Sequence, residues 1–171
     1  DTTGWYSVQT GEIRSRGIEL EAKAAVNENI NVTAAYSYTD AEYTEDTTFK
    51  GKRPAEVPRN QASLWTDYTF YDTALSGLTF GAGVRYTGST VSYYKSDTTT
   101  GKKNEQFSVG GYTVADAMVK YDLARVGLPG SSIAVNVNNL FNREYVSSCY
   151  SEYACYWGAE RQVVATATFR F

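Results

Sequence analysis

The residues best suited to chemistry lie together in one short segment. It holds both cysteines of the chain, with five residues between them, and four aromatic side chains: Cys149, Tyr150, Tyr153, Cys155, Tyr156 and Trp157. Two thiols can form a disulfide, bind a metal or act in redox chemistry. Two thiolates without His do not complete a metal site, and the spacing is not that of a Cys-x-x-Cys redox pair. Aromatic faces and hydroxyl donors suit the surface of an organic ligand.

The overall composition excludes several classes of function. The 171 residues include no His, which rules out His-based triads, His zinc sites and imidazole haem ligation within this chain. The 16 Lys and Arg against 19 Asp and Glu give a net charge of −3, so there is no basic excess for nucleic acid. No apolar run approaches the roughly 20 residues of a transmembrane helix. We therefore expect no catalytic residue, no metal site and no nucleic-acid partner.

The elements that position the aromatic segment follow from strict alternation of apolar and polar residues. A period of two gives a strand one apolar and one polar face, and the 15 Tyr residues fit a β composition. Seven runs show the alternation: 18–26, 30–38, 62–70, 78–86, 115–121, 133–137 and 163–171. The sequence therefore predicts an all-β chain of about seven long antiparallel strands.

Three features favour a transmembrane β-barrel over a soluble sandwich. The alternation often continues for about ten residues, the length with which a tilted strand crosses a bilayer. The polar faces carry nearly all the charges, whereas the apolar faces carry almost none. The connections alternate between short ones, at 27–29, 72–77 and 123–131, and long ones, at 44–59, 89–110 and 142–158. Short periplasmic turns and long extracellular loops are typical of outer-membrane barrels.

Aromatic residues at the strand ends support this prediction. Tyr36, Tyr38 and Tyr86 are expected near the extracellular interface, and Tyr68 and Phe80 near the periplasmic one. Amphipathic rings prefer the depth of the lipid headgroups, so barrels carry an aromatic girdle at each interface.

Seven strands do not make a complete bacterial barrel, which uses an even number. The chain also begins at Asp1, with neither Met nor a signal peptide. We therefore expect a fragment or a processed product, the last portion of a larger barrel.

Several stretches resemble the C-terminal part of TonB-dependent outer-membrane receptors. They are RSRGIELE at 14–21, PRNQASLWTDY at 58–68, NNLFNREY at 138–145 and the aromatic ending at Phe169 and Phe171. Within that family, the cysteine segment at 149–162 and YDLARVG at 121–127 are similar to ferrichrome-type hydroxamate siderophore receptors.

The resemblance implies a whole protein with a 22-stranded barrel closed by an N-terminal plug, of which residues 1–171 form the C-terminal part without the plug. It implies import of ferric siderophore across the outer membrane of a Gram-negative bacterium with energy supplied by TonB. Iron would be carried inside the siderophore, with no cofactor bound by the protein. The implied partners are the plug and the remaining strands, TonB, outer-membrane lipid and lipopolysaccharide, and phages or bacteriocins that exploit the loops. Phe169 and Phe171 would belong to the terminal signal read by the assembly machinery.

The resemblance also assigns roles in the cysteine segment. Outer-membrane proteins mature through an oxidising compartment, which favours a disulfide between Cys149 and Cys155 that restrains the loop. In the resembling receptors an aromatic residue follows the first Cys and lines the siderophore pocket, so Tyr150 is the first ligand candidate. The weaker candidates, for which loop packing or interface anchoring is the alternative, are Tyr153, Tyr156 and Trp157, followed by Tyr93 and Tyr94 in the loop after the fourth strand.

Charges on the inward faces have two interpretations, contact with the plug or solvation by water in the lumen. They include Glu19, Glu21, Lys23, Asp67, Arg85, Asp116, Lys120 and Arg170. Gly81 and Gly83 lie in mid-strand with no helix following, so close approach or curvature explains them better than phosphate binding.

Three alternatives to ferrichrome-type import remain at this stage. One is a receptor for another siderophore such as ferrioxamine. A second is an outer-membrane barrel enzyme whose active site lies outside this chain. The third is a soluble lipocalin-like binder, which would need a closed eight-stranded barrel.

Overall fold

A computed structural model describes residues 11–71, 73–95, 101 and 103–170. Seven strands form one antiparallel sheet. Their bounds are β1 Glu12–Ala25, β2 Ile30–Glu45, β3 Asn60–Thr69, β4 Leu78–Thr87, β7 Tyr112–Asp122, β8 Ser132–Asn138 and β11 Gln162–Thr168. Their spatial order is β1-β2-β3-β4-β7-β8-β11. Two separate hairpins lie in the loops, β5 Thr90–Tyr93 with β6 Gln106–Val109 and β9 Val146–Ser151 with β10 Ala154–Trp157. The predicted all-β antiparallel fold with seven main strands is confirmed.

The strand register places the apolar residues on one continuous face of the sheet. Across the strands, Leu20 pairs with Tyr36, which pairs with Ala62. At the other edge Ala165 pairs with Val135, which pairs with Val119. The face is solvent-accessible, with Leu20 62% exposed. An apolar face of this extent requires a covering apolar phase, which in an outer-membrane protein is lipid.

The last strand matches its predicted orientation. Val163, Ala165 and Ala167 pair with Val137, Val135 and Ile133 and so belong to the apolar face. Phe169 follows the end of β11 and is 53% exposed. Phe171 lies outside the described residues.

The connections fall into the two predicted classes, one at each end of the sheet. The short ones cover residues 26–29, 70–77 and 123–131; the last contains a short 3₁₀ helix, Leu123–Val126. In the first turn, Asn27 Oδ1 accepts hydrogen bonds from the backbone N–H groups of Asn29 and Ile30, both at 2.9 Å, which is an Asx turn. The long ones cover residues 46–59, 88–111 and 139–161. The described part of the chain contains no helix of the length and apolarity that a membrane crossing requires.

Aromatic rings mark the end of the sheet that carries the short turns. Phe70 lies edge-on to both Tyr68 and Phe80, with ring centroids 4.8 Å and 6.0 Å apart. Tyr36 and Tyr86 lie nearer the long loops and are paired to the same residue, Ala62. Aromatic rings therefore lie towards both ends of the strands, as the prediction of two girdles requires.

Trp65 is a large aromatic side chain on the polar face of the sheet. The indole of Trp65 lies against Gly81 and Gly83 of β4, where a Cβ atom at either glycine would overlap the ring. Both glycines are therefore explained by close approach of a side chain, one of the two predicted reasons.

Candidate functional site

The cysteine segment forms a short disulfide-linked hairpin at the long-loop end of the sheet. Cys149 on β9 faces Cys155 on β10, and a disulfide joins them as predicted. Strand alternation puts the residues on either side of Tyr150 in the interior, since Cys149 and Ser151 are each 3% exposed. The hairpin therefore has a packed face and a free face.

The aromatic candidates of this hairpin are all exposed. Tyr150 is 58% exposed. Tyr156 pairs with Ser148, a position that alternates with Cys149, and therefore shares the face of Tyr150. Trp157 follows beyond a register shift, pairs with Val146 and is 72% exposed. Tyr153 lies in the turn between the strands and is 79% exposed. The structure thus brings Tyr150 and Tyr156 to one face of the hairpin, with Tyr153 at its tip and Trp157 at the end of β10.

A neighbouring loop contributes Lys95, a residue that no sequence motif marks. Its ammonium lies over the ring of Tyr150, 4.4 Å from the centroid, in a cation–π contact. Its backbone N–H donates to Glu152 Oε2 at 2.9 Å. Lys95 therefore connects the loop after β5 to both ends of the Tyr150–Glu152 segment.

The two tyrosines predicted from that neighbouring loop have other contacts. Tyr93 is buried, its hydroxyl donates to the carbonyl of Arg53, and Gln106 Nε2 donates to it at 2.9 Å. Burial raises the pKa of the Tyr93 phenol. Tyr94 lies against Phe107, with ring centroids 5.0 Å apart. Since Tyr93 is part of the loop interior, it is not available as an exposed pocket wall.

A small core joins the first two long loops. The ring of Phe49 lies between those of Tyr43 and Tyr93, with centroid distances of 5.6 and 4.4 Å. The ammonium of Lys52 lies 5.8 Å from the Phe49 centroid and donates to the carbonyl of Asn104 at 2.7 Å. The segment 46–59 is therefore fixed to the β5–β6 hairpin, which in turn contacts β9.

The base of the third long loop is closed by the Asn139 side chain. Nδ2 donates to the carbonyls of Arg143 at 2.9 Å and Ala159 at 3.0 Å, and Oδ1 accepts from Arg143 N–H at 2.8 Å. The backbone of Asn139 has φ +52°, a left-handed conformation that Asn tolerates well. These three hydrogen bonds connect Arg143, near the start of the loop, to Ala159, near its end. We call them the Asn139 clasp.

The clasp is attached to the inner face of the sheet through an ion pair. Arg85 donates to Asp116 with Nε at 2.5 Å and Nη2 at 3.0 Å, and Asp116 Oδ1 also accepts from Asn139 N–H at 2.9 Å. Two more of the predicted inner charges, Glu21 and Lys23, pair at 2.9 Å along β1. These contacts give part of the charged set a role within the sheet, and contact with a plug stays a prediction for the set as a whole.

The same loop base contains a stacked pair of tyrosines. Tyr145 lies over Tyr112 with centroids 4.0 Å apart. Gly158 donates its N–H to Tyr145 O at 2.8 Å, and a Cβ on this glycine would overlap the Tyr145 ring. The return of the chain from β10 to β11 therefore depends on a residue without a side chain.

Comparison with known proteins relates this chain to a family of outer-membrane receptors. A family model described as TonB dependent receptor-like, beta-barrel matches residues 1–140. The chain is 62% identical to the ferrichrome outer membrane transporter/phage receptor of Escherichia coli over 98% of its length and 21% of that protein. It is 40% identical to the ferrioxamine B receptor of Salmonella typhimurium over 94% of this chain and 22% of that receptor.

A solved structure shares the fold. The ferripyoverdine receptor of the outer membrane of Pseudomonas aeruginosa bound to ferripyoverdine superposes with a TM-score of 0.71, at 26% identity, over 92% of this chain and 19% of that one. The chain spans about a fifth of the length of the curated relatives it matches. The predicted family and outer-membrane location are confirmed, and the relatives are transporters and receptors. This chain belongs to the TonB dependent receptor-like β-barrel family.

Proposed function

We propose that this chain is the C-terminal part of the barrel of an outer-membrane receptor that binds and imports a ferric hydroxamate siderophore of the ferrichrome type with energy from TonB. The plug and the other barrel strands would come from the rest of the same protein. The observation that carries the proposal is the free aromatic face of the disulfide hairpin, in a chain 62% identical to a ferrichrome transporter over nearly its whole length.

The chemistry of the site fits a ligand with an organic surface. Three bidentate hydroxamates fill the six coordination positions of Fe³⁺, so a receptor meets the ligand shell and not the metal. Aromatic faces contact such a shell over a large area, and phenol hydroxyls supply directional hydrogen bonds. Tyr150 supplies the main ring in this proposal, and Tyr156, which shares its face, extends the surface.

The rigidity of the hairpin supports binding by reducing the cost of ordering. The disulfide closes the hairpin, and the Asn139 clasp holds the base of the loop that carries it. A preorganised loop loses little conformational freedom when the ligand arrives, so more of the contact energy appears as affinity.

Iron uptake in cells tests the proposal. The full-length receptor that contains this chain is expressed in a strain lacking its own hydroxamate receptors, and accumulation of radioactive iron is followed from ferrichrome and from ferric citrate. We expect uptake from ferrichrome alone, and its loss when TonB is removed. Uptake from ferric citrate with none from ferrichrome would reject the assignment.

Ferrioxamine is the second candidate ligand, because the chain is also 40% identical to a ferrioxamine B receptor. The same uptake assay with ferrioxamine B separates the two. A higher initial rate from ferrioxamine B than from ferrichrome at equal concentration would favour this second candidate.

A further inference from the structure

We propose that Lys95 sets the charge selectivity of the Tyr150 site, so that it favours neutral ferric hydroxamates over those that carry an extra positive charge. The inference rests on the proposed function and deepens it by naming a specificity-determining residue. It starts from one contact, the Lys95 ammonium 4.4 Å from the centroid of the Tyr150 ring.

Two hydrogen bonds, one at Lys95 and one just before it, fix the position of its backbone. Its backbone N–H is held by Glu152 at 2.9 Å, in the turn of the disulfide hairpin. On the other side it follows β5, where Tyr93 is bonded to the carbonyl of Arg53. An ammonium on a flexible stem would normally move into bulk water, but here its backbone is tied to the hairpin that presents the ring.

The charge of Lys95 remains available to act on a ligand. Among the residues that the structure describes, no carboxylate forms a salt bridge with its ammonium. Tyr150 is 58% exposed, so the cation and the ring share a surface open to solvent. A ligand that contacts the ring therefore meets a positive potential next to it.

This potential separates ligands by their net charge. Fe³⁺ bound by three hydroxamate monoanions is neutral, whereas a trihydroxamate with a free amine carries one positive charge at pH 7. A second cation about 8 Å from Lys95, at an effective dielectric constant of about 30, weakens binding roughly tenfold. The neutral complex is not repelled in this way, and its oxygen-rich surface is attracted to the ammonium.

The test uses a matched pair of ligands that differ by this charge alone. They are a linear ferric trihydroxamate with a free terminal amine, such as ferrioxamine B, and the same compound with the amine acetylated. Equilibrium binding of each is measured on the purified full-length receptor in detergent, at about 20 mM and at about 300 mM NaCl. At the higher ionic strength the Debye length falls well below 8 Å.

We expect the wild-type receptor to bind the acetylated compound about tenfold more tightly at low salt, with the ratio falling towards one at high salt. Lys95→Gln should bring the low-salt ratio below threefold, and Lys95→Arg, which keeps the charge, should preserve it. A wild-type ratio near one, or an unchanged ratio in Lys95→Gln, overturns the inference and leaves the proposed function standing. Absence of binding of ferrichrome and of both compounds to the wild-type receptor rejects the proposed function, and the inference with it.

Discussion

Replacing Asn139 with Ala should open the base of the disulfide-bearing loop while the sheet below it stays intact. Asn139 is 4% exposed, and its side chain makes three hydrogen bonds across the loop base, two to Arg143 and one to Ala159. Its φ of +52° is a conformation in which Ala is strained. The substitution therefore removes three bonds and adds backbone strain at one position.

The two effects can be separated by a second variant. Three hydrogen bonds are worth about 3 kcal/mol in total, and the left-handed conformation costs Ala about 1–2 kcal/mol. Asn139→Ala should therefore lower the free energy of loop opening by about 4–5 kcal/mol. Asn139→Gly, which loses the same bonds without the steric strain, should lower it by about 3 kcal/mol.

Hydrogen exchange on the purified full-length receptor measures this opening locally. The reporters are the amides of Gly158 and Arg161, which bond to Tyr145 O at 2.8 Å and Asn142 Oδ1 at 2.7 Å. Each 1.4 kcal/mol changes protection about tenfold, so Asn139→Ala should accelerate their exchange by about a thousandfold or more. Amides in the β3–β4 ladder should keep wild-type protection.

Asn136→Ala is the matched control, because it removes the same atoms from the middle of β8, away from the loop base. Its exchange at Gly158 and Arg161 should stay within a few-fold of wild type. If Asn139→Ala changes these rates by less than tenfold, the clasp does not hold the loop, and the reasoning from the three bonds is wrong.

Three further predictions concern the loops. Tyr150→Ala should weaken ferric hydroxamate binding by about 1–3 kcal/mol at unchanged receptor yield, measured by titration against Tyr150→Phe; wild-type affinity would remove the ring from the site. Gly158→Ala should destabilise the loop base by about 1–3 kcal/mol through overlap with the Tyr145 ring, read by the same exchange experiment, whereas Gly110→Ala, with nothing within 4 Å, should be close to neutral. Burial raises the pKa of Tyr93. Its contribution to loop stability is therefore complete below the ordinary tyrosine pKa of about 10 and is lost as pH rises through the raised value. Tyr93→Phe should lack this alkaline loss in fluorescence titrations, and identical pH profiles of the two proteins would contradict the prediction.

Alternation predicted the main sheet well because a bilayer and a wet lumen impose opposite demands on the two faces of every strand. The pairing of Leu20, Tyr36 and Ala62 along one row follows directly from that demand. Alternation does not predict the small hairpins β5–β6 and β9–β10, because strands of four to six residues are too short to show a period. Their faces are set by packing on each other and not by a lipid boundary.

The candidate site was only partly predictable for a related reason. The cysteines and Tyr150 are marked by residue type and spacing, so the disulfide and the first ring could be selected. Lys95 lies 55 positions earlier in the chain, and its contact with Tyr150 depends on the mutual packing of two loops. The role of Asn139 depends on a positive φ and on two distant carbonyls, neither of which leaves a pattern in the sequence.

The two-faced hairpin β9–β10 has a consequence for immunological reagents. In a free peptide covering residues 146–157 every side chain is accessible, whereas in the folded chain Cys149 and Ser151 are hidden. Antisera raised against such a peptide should therefore detect denatured receptor on a blot and recognise intact cells poorly. An antibody selected on intact cells would instead recognise a surface assembled from separate segments of the chain, with Lys95 and Tyr150 side by side, and would lose its epitope on reduction and unfolding.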